Sequence, residues 1–352
     1  MTSGRPERTD LKGMTLPELE AFFAEWGKER YRARQVFRWI YRMHVDDFAA
    51  MTDLSREFRA RLSDSCRISA PPAERVETSV DGTEKFLFRL EDGEAVESVL
   101  IPDGDRRTLC VSSQVGCALA CSFCATGAMG FRRDMTSAEI IHPVCHAARR
   151  LSGRGERLTN VVFMGMGEPL RNVPEVSRAI GILLSQHGFG LSGKRITVST
   201  AGVVPEMLAM AGTYPVSFAV SVNASRDERR SLLMPVNRRY PLKELAAAMK
   251  RIPLQSGRKV TAEYVLLGGV NDSPEDAREL ARLFRGGRIK VNLIPFNMLE
   301  GAPYESPAPE TVERFREILL GAGIQAITRE RRGADIRAAC GQLRGAAGGK
   351  RS

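Results

Sequence analysis

The sequence predicts an α/β fold: a partial barrel of six βα units, preceded by a small helical accessory domain and a short β extension. From residue 107 onward, strand-like apolar runs alternate with helical patterns, which is typical of a parallel sheet with crossover helices. Six units are too few to close an eight-stranded barrel, so we expect an opening on one side. A helical pattern before residue 62 and three short β runs between residues 74 and 101 predict the other two parts.

Composition sets the expected boundaries along the chain. Residues 1–13 are polar, contain two glycines and a proline, and are expected to be disordered. Residues 14–69 are expected to form the helical accessory domain, and residues 70–106 a proline-rich linker and the β extension. The core with its C-terminal segment is expected over 107–343, and 344–352 are expected to form a frayed tail.

The accessory domain is predicted from helix signals. Thr15 and Glu18 have the spacing of a capping box, in which each residue satisfies a backbone donor of the other. In the next helix Arg34, Arg38 and Arg42 recur every four residues on the face opposite the apolar stripe. Such a stripe is either a solvated face or a surface that contacts phosphates, and the sequence leaves both interpretations open.

Strands and helices of the remaining chain follow the same periodicity rules. Asp81-Gly82 is a hairpin signal between two runs of the β extension. Pro143 falls inside a predicted helix over 136–151, so we expect a kink or break there. The predicted strands cover 74–79, 84–90, 95–101, 108–112, 160–164, 195–199, 216–221, 260–266 and 290–295, with a further candidate at 325–329. The other predicted helices cover 173–186, 242–252, 274–284 and 309–322.

Charge and cysteine usage narrow the class of protein. The net charge of +10 favours a polyanionic partner such as nucleic acid, although many basic proteins bind none. No apolar run has the length of a membrane span, and the N-terminus lacks a signal-peptide core, so a cytoplasmic protein is expected. The seven cysteines are odd in number and clustered, which argues against a secreted disulfide framework.

The most specific pattern is Cys117, Cys121 and Cys124, three thiols within eight residues. A [4Fe–4S] cluster with one open iron needs only three thiolates, so the spacing favours an iron–sulfur centre. The alternative is structural zinc, which requires four protein ligands. In that case His142, Cys145 or His146 would have to supply the fourth ligand.

Unusual residues follow several of the predicted parallel strands. Ligands bind at the carboxyl ends of such strands, so we expect these residues to meet. The first group of such residues is the cysteine loop, which follows the first core strand. The other groups are Gly165–Pro169, Ser199–Gly202, Ser221–Asn223 and Pro295–Asn297.

Four stretches carry a family resemblance over nearly the whole chain: 109–117, 163–170, 234–237 and 332–342. Together with the three-cysteine loop, in which Phe123 precedes the last thiol, they resemble the radical S-adenosylmethionine (radical SAM) superfamily. More narrowly, the chain is similar to the RlmN/Cfr family of radical methyltransferases, which methylate adenines in RNA. The resemblance implies a radical SAM barrel.

The resemblance also implies a set of cofactor sites. Cys117, Cys121 and Cys124 would ligate a [4Fe–4S] cluster, whose open iron would be chelated by S-adenosyl-L-methionine (SAM). The residues that match family positions contacting SAM are Gly167, Glu168, Ser199, Ser221, Val222, Asn223 and Asn297.

Two further cysteines and a glutamate have implied roles in the chemistry. A first SAM would methylate Cys340, and cleavage of a second would give a radical that removes hydrogen from the S-methyl group. The carbon would then add to adenine, and Glu97 would be the proton acceptor for the ring proton. Cys110 would release the product through a transient disulfide with Cys340.

The implied substrates are adenine C2 in 23S rRNA, before full ribosome assembly, and the adenine next to the anticodon in tRNA. A flavodoxin-type reductant, a monomer and the absence of a membrane partner are expected. One alternative is C8 methylation of a 23S rRNA adenine by a Cfr-type enzyme. Another is a non-catalytic iron–sulfur RNA-binding protein, for which Cys110, Cys340 and Glu97 would have no use.

Overall fold

The computed structural model describes residues 8–298 and 301–345. The expectations for residues 1–7 and 346–352 lie outside these residues. The strands are β1 (Thr9–Asp10), β2 (Cys66–Arg67), β3 (Ala73–Thr78), β4 (Glu84–Arg89), β5 (Ala95–Asp103), β6 (Arg106–Cys110), β7 (Gln114–Gly116), β8 (Phe131–Asp134), β9 (Asn160–Phe163), β10 (Ile196–Thr200), β11 (Ser217–Ser221), β12 (Val260–Leu266), β13 (Ile289–Pro295) and β14 (Ala326–Thr328). The α-helices are α1 (Leu16–Glu25), α2 (Arg30–Tyr41), α3 (Arg56–Ser65), α4 (Ala125–Ala128), α5 (Ser137–Ser152), α6 (Val173–Leu184), α7 (Val204–Thr213), α8 (Asp227–Leu233), α9 (Leu242–Arg251), α10 (Pro274–Phe284) and α11 (Pro309–Gly321).

One mixed sheet organises the chain, with the strand order β14-β13-β12-β11-β10-β9-β6-β5-β4-β3. Neighbouring strands are parallel from β14 to β6 and antiparallel from β6 to β3. The predicted partial barrel and β extension are therefore confirmed, and β14 adds the further candidate strand. The extension continues the barrel sheet, so β6 has a parallel neighbour on one side and an antiparallel neighbour on the other.

Helices cover the parallel strands because their apolar stripes face the sheet. In α9 the buried side chains include Leu245 and Met249, and in α10 they include Leu280 and Phe284. Pro274 occupies the first position of α10, where a missing N–H has no intrahelical partner to lose. Within the described residues, no helix combines the length and the apolar character that crossing a membrane requires.

The accessory helices α1 to α3 pack around aromatic side chains and against the core. The ring centroids of Phe37 and Tyr41 are 4.5 Å apart, and Tyr41 Oη accepts a hydrogen bond of 2.9 Å from the Gly13 amide. The predicted capping box is present, since Glu18 Oε2 accepts from the Thr15 amide at 2.8 Å. Arg34, Arg38 and Arg42 are all exposed. That exposure agrees with both interpretations of the stripe.

Residues 8–13 are ordered, which differs from the predicted disorder. The two-residue strand β1 pairs in parallel with β2, and Leu11 is fully buried. The Lys12 side chain is buried as well. The sequence pattern missed this because the strand is too short to show periodicity and its partner lies far along the chain.

Helix α5 runs through Pro143 without a break, so of the predicted kink or break the break is wrong. Proline removes one helical hydrogen bond and crowds the preceding turn. Here that cost is offset by a long buried stripe that includes Ile140, Ile141 and Val144. The helix also begins with a strong capping box at Thr136 and Glu139.

His142 is a buried histidine of α5 at the contact with the accessory region. Its ring meets the edge of the Phe88 ring at 4.9 Å, and its Nδ1 accepts from Lys12 Nζ at 3.4 Å. Burial, followed by the charge of Lys12, lowers the pKa of His142 from 6.5 to about 3. The folded protein therefore holds this imidazole neutral, while the unfolded chain can protonate it.

This difference predicts acid sensitivity. Because the folded-state pKa is depressed, the stabilisation is present above pH 6.5 and is lost as the pH falls toward 3, by about 1.4 kcal/mol per pH unit. We expect His142→Gln to flatten this slope in urea unfolding between pH 7 and 5. The exposed His187→Gln variant should keep the wild-type slope. An equal slope in His142→Gln and wild type would contradict the assignment.

Candidate active site

A cavity lies at the carboxyl ends of the parallel strands, where the sequence predicts the site. Ten of the thirteen predicted site residues line it, and they come from the loops or ends of β7, β9, β10, β11 and β13 and from the chain after β14. These ten residues are Cys117, Cys121, Cys124, Gly167, Glu168, Ser199, Ser221, Asn223, Asn297 and Cys340. Parallel pairing brings these ends to one edge of the sheet, which is why residues distant in sequence meet there.

The cysteine loop is fixed by its own backbone hydrogen bonds. The Cys117 amide donates to the Gly130 carbonyl at 3.0 Å, next to the β7–β8 pair. The Cys124 amide donates to the Cys121 carbonyl at 3.2 Å, and Cys124 is the residue before α4. Ala120 has a φ of 49°, in the left-handed region, and this bends the loop between the first two thiols.

Burial makes two of these thiols, Cys117 and Cys121, costly to ionise in the protein alone. It raises the pKa of Cys117 to about 11 and raises that of Cys121 well above its ordinary value. Metal centres bind the thiolate form. Loading the loop with an iron–sulfur cluster therefore releases protons.

A glycine loop after β9 approaches the cysteine side of the site very closely. Gly165 and Gly167 pack against the residues that follow β6. A Cβ atom on Gly165 would lie 2.6 Å from Ser112 Oγ, and one on Gly167 would lie 2.5 Å from Gln114 Cβ. Gly167 also has a φ of 98°, which favours glycine. Only glycine fits here, so the loop can bring Glu168 to the cavity wall.

Glu168 is the buried carboxylate of the cavity. Its Oε1 accepts from the Leu170 amide at 3.1 Å and its Oε2 from the Ala201 amide at 2.7 Å. Burial raises its pKa to about 7, and these amide donors oppose the shift. Each carboxylate oxygen can accept a further hydrogen bond. The residue therefore suits an ammonium or amino group of a ligand.

Two asparagines line the cavity and differ in how many of their side-chain polar atoms already have hydrogen-bond partners. Asn223 has a φ of 57°; its Oδ1 accepts from the Val265 amide at 2.8 Å and its Nδ2 lies 3.2 Å from Met234 Sδ. Asn297 Nδ2 donates to the Cys340 carbonyl at 3.2 Å, whereas its buried Oδ1 has no protein partner. Asn297 thus keeps an acceptor for a ligand and contacts the Cys340 peptide.

Cys110 and Glu97 lie beside the cavity lining rather than within it. Cys110 ends β6, where burial and then the neighbouring Cys340 thiol raise its pKa to about 12. Glu97 is buried in β5, and its Oε2 accepts from the amides of Arg344 and Gly345 at 2.9 and 3.1 Å. Residues 344 and 345 were predicted to begin a frayed tail, whereas in the structure their amides are held by Glu97.

Val222 is the one predicted cofactor residue that the structure buries away from the cavity. Its amide donates to the Glu263 carbonyl at 2.9 Å, and its carbonyl accepts from Arg230 Nε at 2.9 Å. The backbone of Val222 therefore connects the end of β11 to β12 and to α8.

Sequence reasoning missed Arg230, which is fully buried. Its guanidinium donates to the Ala201 carbonyl at 2.7 Å and to the Ser221 carbonyl at 3.0 Å, besides the Val222 carbonyl. It also donates to Asn237 Oδ1 at 2.9 Å. The cation thus ties together the loops after β10 and β11, and burial lowers its pKa to about 10.

Glu263 was also missed, although its strand offered a signal. It is a charged residue in the middle of a central apolar strand, β12, and it lines the cavity. Its Oε1 is buried without a hydrogen bond and lies 3.9 Å from Arg329 Nη1. A charge in a strand that is otherwise apolar on both faces is a reason to expect a site.

The donor set fits a [4Fe–4S] cluster with SAM. Three thiols share one loop, and the cavity beside them offers the Glu168 carboxylate and two buried acceptor oxygens that accept no hydrogen bond from the described residues, on Asn297 and Glu263. Such oxygens suit the amino and hydroxyl donors of SAM. Among the described residues, no three His, Cys, Asp or Glu side chains are arranged to hold a single metal ion.

Comparisons with known proteins agree with this site. Residues 111–283 match the radical SAM superfamily, and residues 9–68 match the ribosomal RNA large subunit methyltransferase N-terminal domain. A crystal structure of a radical SAM methyltransferase from Sphaerobacter thermophilus superposes with a TM-score of 0.91 at 48% identity, covering 96% of this chain and 99% of that one. The fold and site therefore define a radical SAM methyltransferase.

Two relatives specify the family further. Both carry the name dual-specificity RNA methyltransferase RlmN: one from Geotalea uraniireducens is 52% identical over 96% of this chain and 97% of its own. One from Geobacter sulfurreducens is 53% identical over 96% of this chain and 92% of its own. The chain belongs to the RlmN family, which confirms the predicted resemblance and implies a [4Fe–4S] cluster and SAM as cofactors.

The glycine loop gives a testable prediction. Gly167→Ala combines a left-handed φ with a 2.5 Å clash, so we expect a loss of about 3 kcal/mol of unfolding free energy and at least about tenfold weaker SAM binding. Gly155→Ala is the matched control, because its φ is 72° and its Cβ meets nothing within 4 Å. It should lose only about 1 kcal/mol and bind SAM normally. Equal effects in both variants would show that the close approach is unimportant.

Proposed function

We propose that the protein is a dual-specificity RNA methyltransferase, which methylates C2 of an adenine in 23S rRNA and of the adenine next to the anticodon in tRNA. The support is membership of the RlmN family along nearly the whole chain, together with relatives that bear this name. The exposed arginine stripe of α2 and the net charge of +10 favour an RNA partner. We assign RNA binding to the accessory domain, residues 14–69.

The observation that carries the proposal is the juxtaposition of Cys110 and Cys340, which are 230 positions apart in sequence. Cys340 lines the cavity that contains the three-thiol loop, and it is a neighbour of Cys110 at the end of β6. A protein that only binds RNA needs neither thiol. A transfer that passes through a cysteine-bound methyl group needs both.

The electronic structure of adenine explains why a cysteine would carry the methyl group. C2 is an electron-poor carbon and a poor nucleophile, so direct displacement at SAM is unfavourable. When bound, the cluster and SAM supply a methyl group and a radical that removes one hydrogen from it, using two SAM molecules per turnover. The chain's own residues would provide the rest.

Three side chains have proposed roles. Cys340 Sγ carries the methyl carbon as S-methylcysteine and links it to the ring. Glu97 accepts the proton that leaves the ring carbon. The Cys110 thiolate then attacks Cys340 Sγ; the carbon–sulfur bond breaks, the released carbon takes the electron pair and a proton to become the methyl group, and a Cys110–Cys340 disulfide remains. Gly167, Glu168, Ser199, Ser221, Asn223 and Asn297 would hold SAM, and Val222 would act indirectly, because its backbone hydrogen bonds fix the loop after β11.

The cellular setting follows from this chemistry. The 23S rRNA adenine would be accessible before full ribosome assembly. An electron donor of the flavodoxin type would reduce the cluster, and we propose a monomer that acts in the cytoplasm.

Nucleoside analysis tests the proposed reaction. The reconstituted protein, with SAM and reductant, should convert adenosine in 23S rRNA and in tRNA to 2-methyladenosine, identified by mass spectrometry against synthetic standards. An 8-methyl product would instead assign the Cfr-type reaction. The absence of both products would contradict the proposed function.

A variant of the resolving thiol tests the release step. Cys110→Ala should accumulate RNA bound covalently to the protein, because the link to Cys340 can form but cannot be released. Gel electrophoresis under denaturing conditions with labelled RNA would detect it. Cys145→Ala, another buried cysteine outside the cavity, is the control and should accumulate none. A Cys110→Ala protein without the adduct would exclude the disulfide step.

A further inference from the structure

Lys85 is a buried lysine of β4 that none of the roles above uses. Only 8% of its side chain is exposed. Its Nζ donates to the Ile336 carbonyl at 2.5 Å and forms ion pairs with Glu77 Oε2 at 2.9 Å and Glu97 Oε1 at 3.6 Å. The buried charge is therefore compensated by one backbone carbonyl and two carboxylates.

Strand register places Lys85 on the same face of the sheet as the two residues with proposed chemical roles. Lys85 is opposite Val99 of β5, and Val99 is opposite Cys110 of β6. Glu97 lies two positions before Val99 on β5. Side chains opposite each other, or two positions apart on a strand, share a face. Lys85, Glu97 and Cys110 consequently line one surface of the sheet.

Residues 333–345, which we call the cysteine segment, cover this surface. Before Cys340, the Gly333 amide donates to Asp81 Oδ2 at 2.9 Å, and Lys85 binds the Ile336 carbonyl. The β3–β4 hairpin thus holds the first part of the segment, through its turn and through β4.

After Cys340, the segment is held by Glu97. Both the Arg344 and Gly345 amides donate to Glu97 Oε2, while Glu97 Oε1 faces Lys85. Lys85 is therefore the side chain that contacts the peptide before Cys340 and the carboxylate that binds the peptide after it.

We propose that Lys85 is a positioning residue that fixes Glu97 and the cysteine segment relative to each other, so that Cys340 is held next to its proton acceptor. This inference rests on the proposed function, in which Cys340 carries the methyl group and Glu97 accepts the ring proton. The positive charge attracts the buried Glu97 carboxylate, whose other oxygen binds the two amides that follow Cys340. The contact with the Ile336 carbonyl keeps the segment on the same surface.

Glu77 offers the competing explanation, in which Lys85 only neutralises this half-buried carboxylate of β3. The two explanations differ in their response to charge. A positioning role needs a cation between Glu97 and Ile336. A merely neutralising role becomes unnecessary when Glu77 is replaced by a neutral residue.

Turnover of the loaded enzyme provides the first test. In Lys85→Met, kcat for RNA methylation should fall at least about tenfold with the KM for RNA unchanged, because the RNA surface is intact while the proton acceptor is misplaced. Lys85→Arg, which retains the charge and the donors, should restore most of kcat. Equal losses in both variants would overturn the proposal.

Amide hydrogen exchange provides a second readout that does not depend on methylation. In Lys85→Met, exchange at Arg344 and Gly345 should be at least about tenfold faster than in the wild type, because their acceptor is no longer held in place. Lys85→Arg should exchange like the wild type. Unchanged exchange in Lys85→Met would overturn the proposal even if kcat fell.

Two controls separate positioning from general stability. Arg89 lies on β4, like Lys85, and forms an exposed ion pair with Glu74 of β3. Arg89→Met removes this ion pair and should leave both readouts unchanged. In the double variant Glu77→Gln/Lys85→Met, both changes of Lys85→Met should persist, whereas recovery to wild-type behaviour would favour neutralisation and overturn the proposal. If Lys85→Met does not fold, Lys85→Gln keeps a donor for Ile336 without the charge and must show the same two changes.

Failure of this proposal can be told apart from failure of the proposed function. Wild-type protein that methylates no RNA would contradict the proposed function, whereas the exchange experiment would still decide how Lys85 acts.

Discussion

The buried guanidinium of Arg230 is the interaction on which the cofactor side of the site depends. Backbone carbonyls at the ends of parallel strands have no ladder partners, and burial without a donor would be costly. Arg230 satisfies those of Ala201, Ser221 and Val222 at once. Among residues 8–298 and 301–345 no carboxylate forms an ion pair with it, so its hydrogen bonds to neutral acceptors hold the two neighbouring strand ends in register. That backbone in turn fixes the positions of three side chains of the site, those of Ser199, Ser221 and Asn223.

The opposite side of the site depends on close packing rather than charge. Gly165 and Gly167 allow the loop after β9 to touch the residues after β6, and the Glu168 amide then donates to Gln114 Oε1 at 2.8 Å. Gln114 in turn belongs to β7, the strand that leads into the cysteine loop. The carboxylate and the three thiols are therefore positioned by one continuous set of contacts.

Sequence reasoning predicted the strands and the residues at their ends because parallel topology brings those ends together whatever the details of the loops. It did not predict Arg230 or Lys85, whose roles depend on which carbonyls lie nearby after folding. Residues 8–13 were mispredicted because β1 exists only through pairing with β2. The break predicted at Pro143 was wrong for a related reason, because the local cost of a proline in a helix is offset by packing that only the tertiary structure supplies. Family resemblance, not periodicity, singled out Glu97 and Cys340.

The contacts that hold the cysteine segment also imply an order of assembly. Gly333 binds a residue 252 positions earlier, Ile336 one 251 positions earlier, and Arg344 one 247 positions earlier. Closing such long loops is entropically expensive unless the intervening chain is already compact. We therefore expect the segment to join the sheet after the barrel has formed. In that order of assembly Cys110 and Cys340 stay apart until late in folding, which would limit the formation of a disulfide between them before the protein is complete.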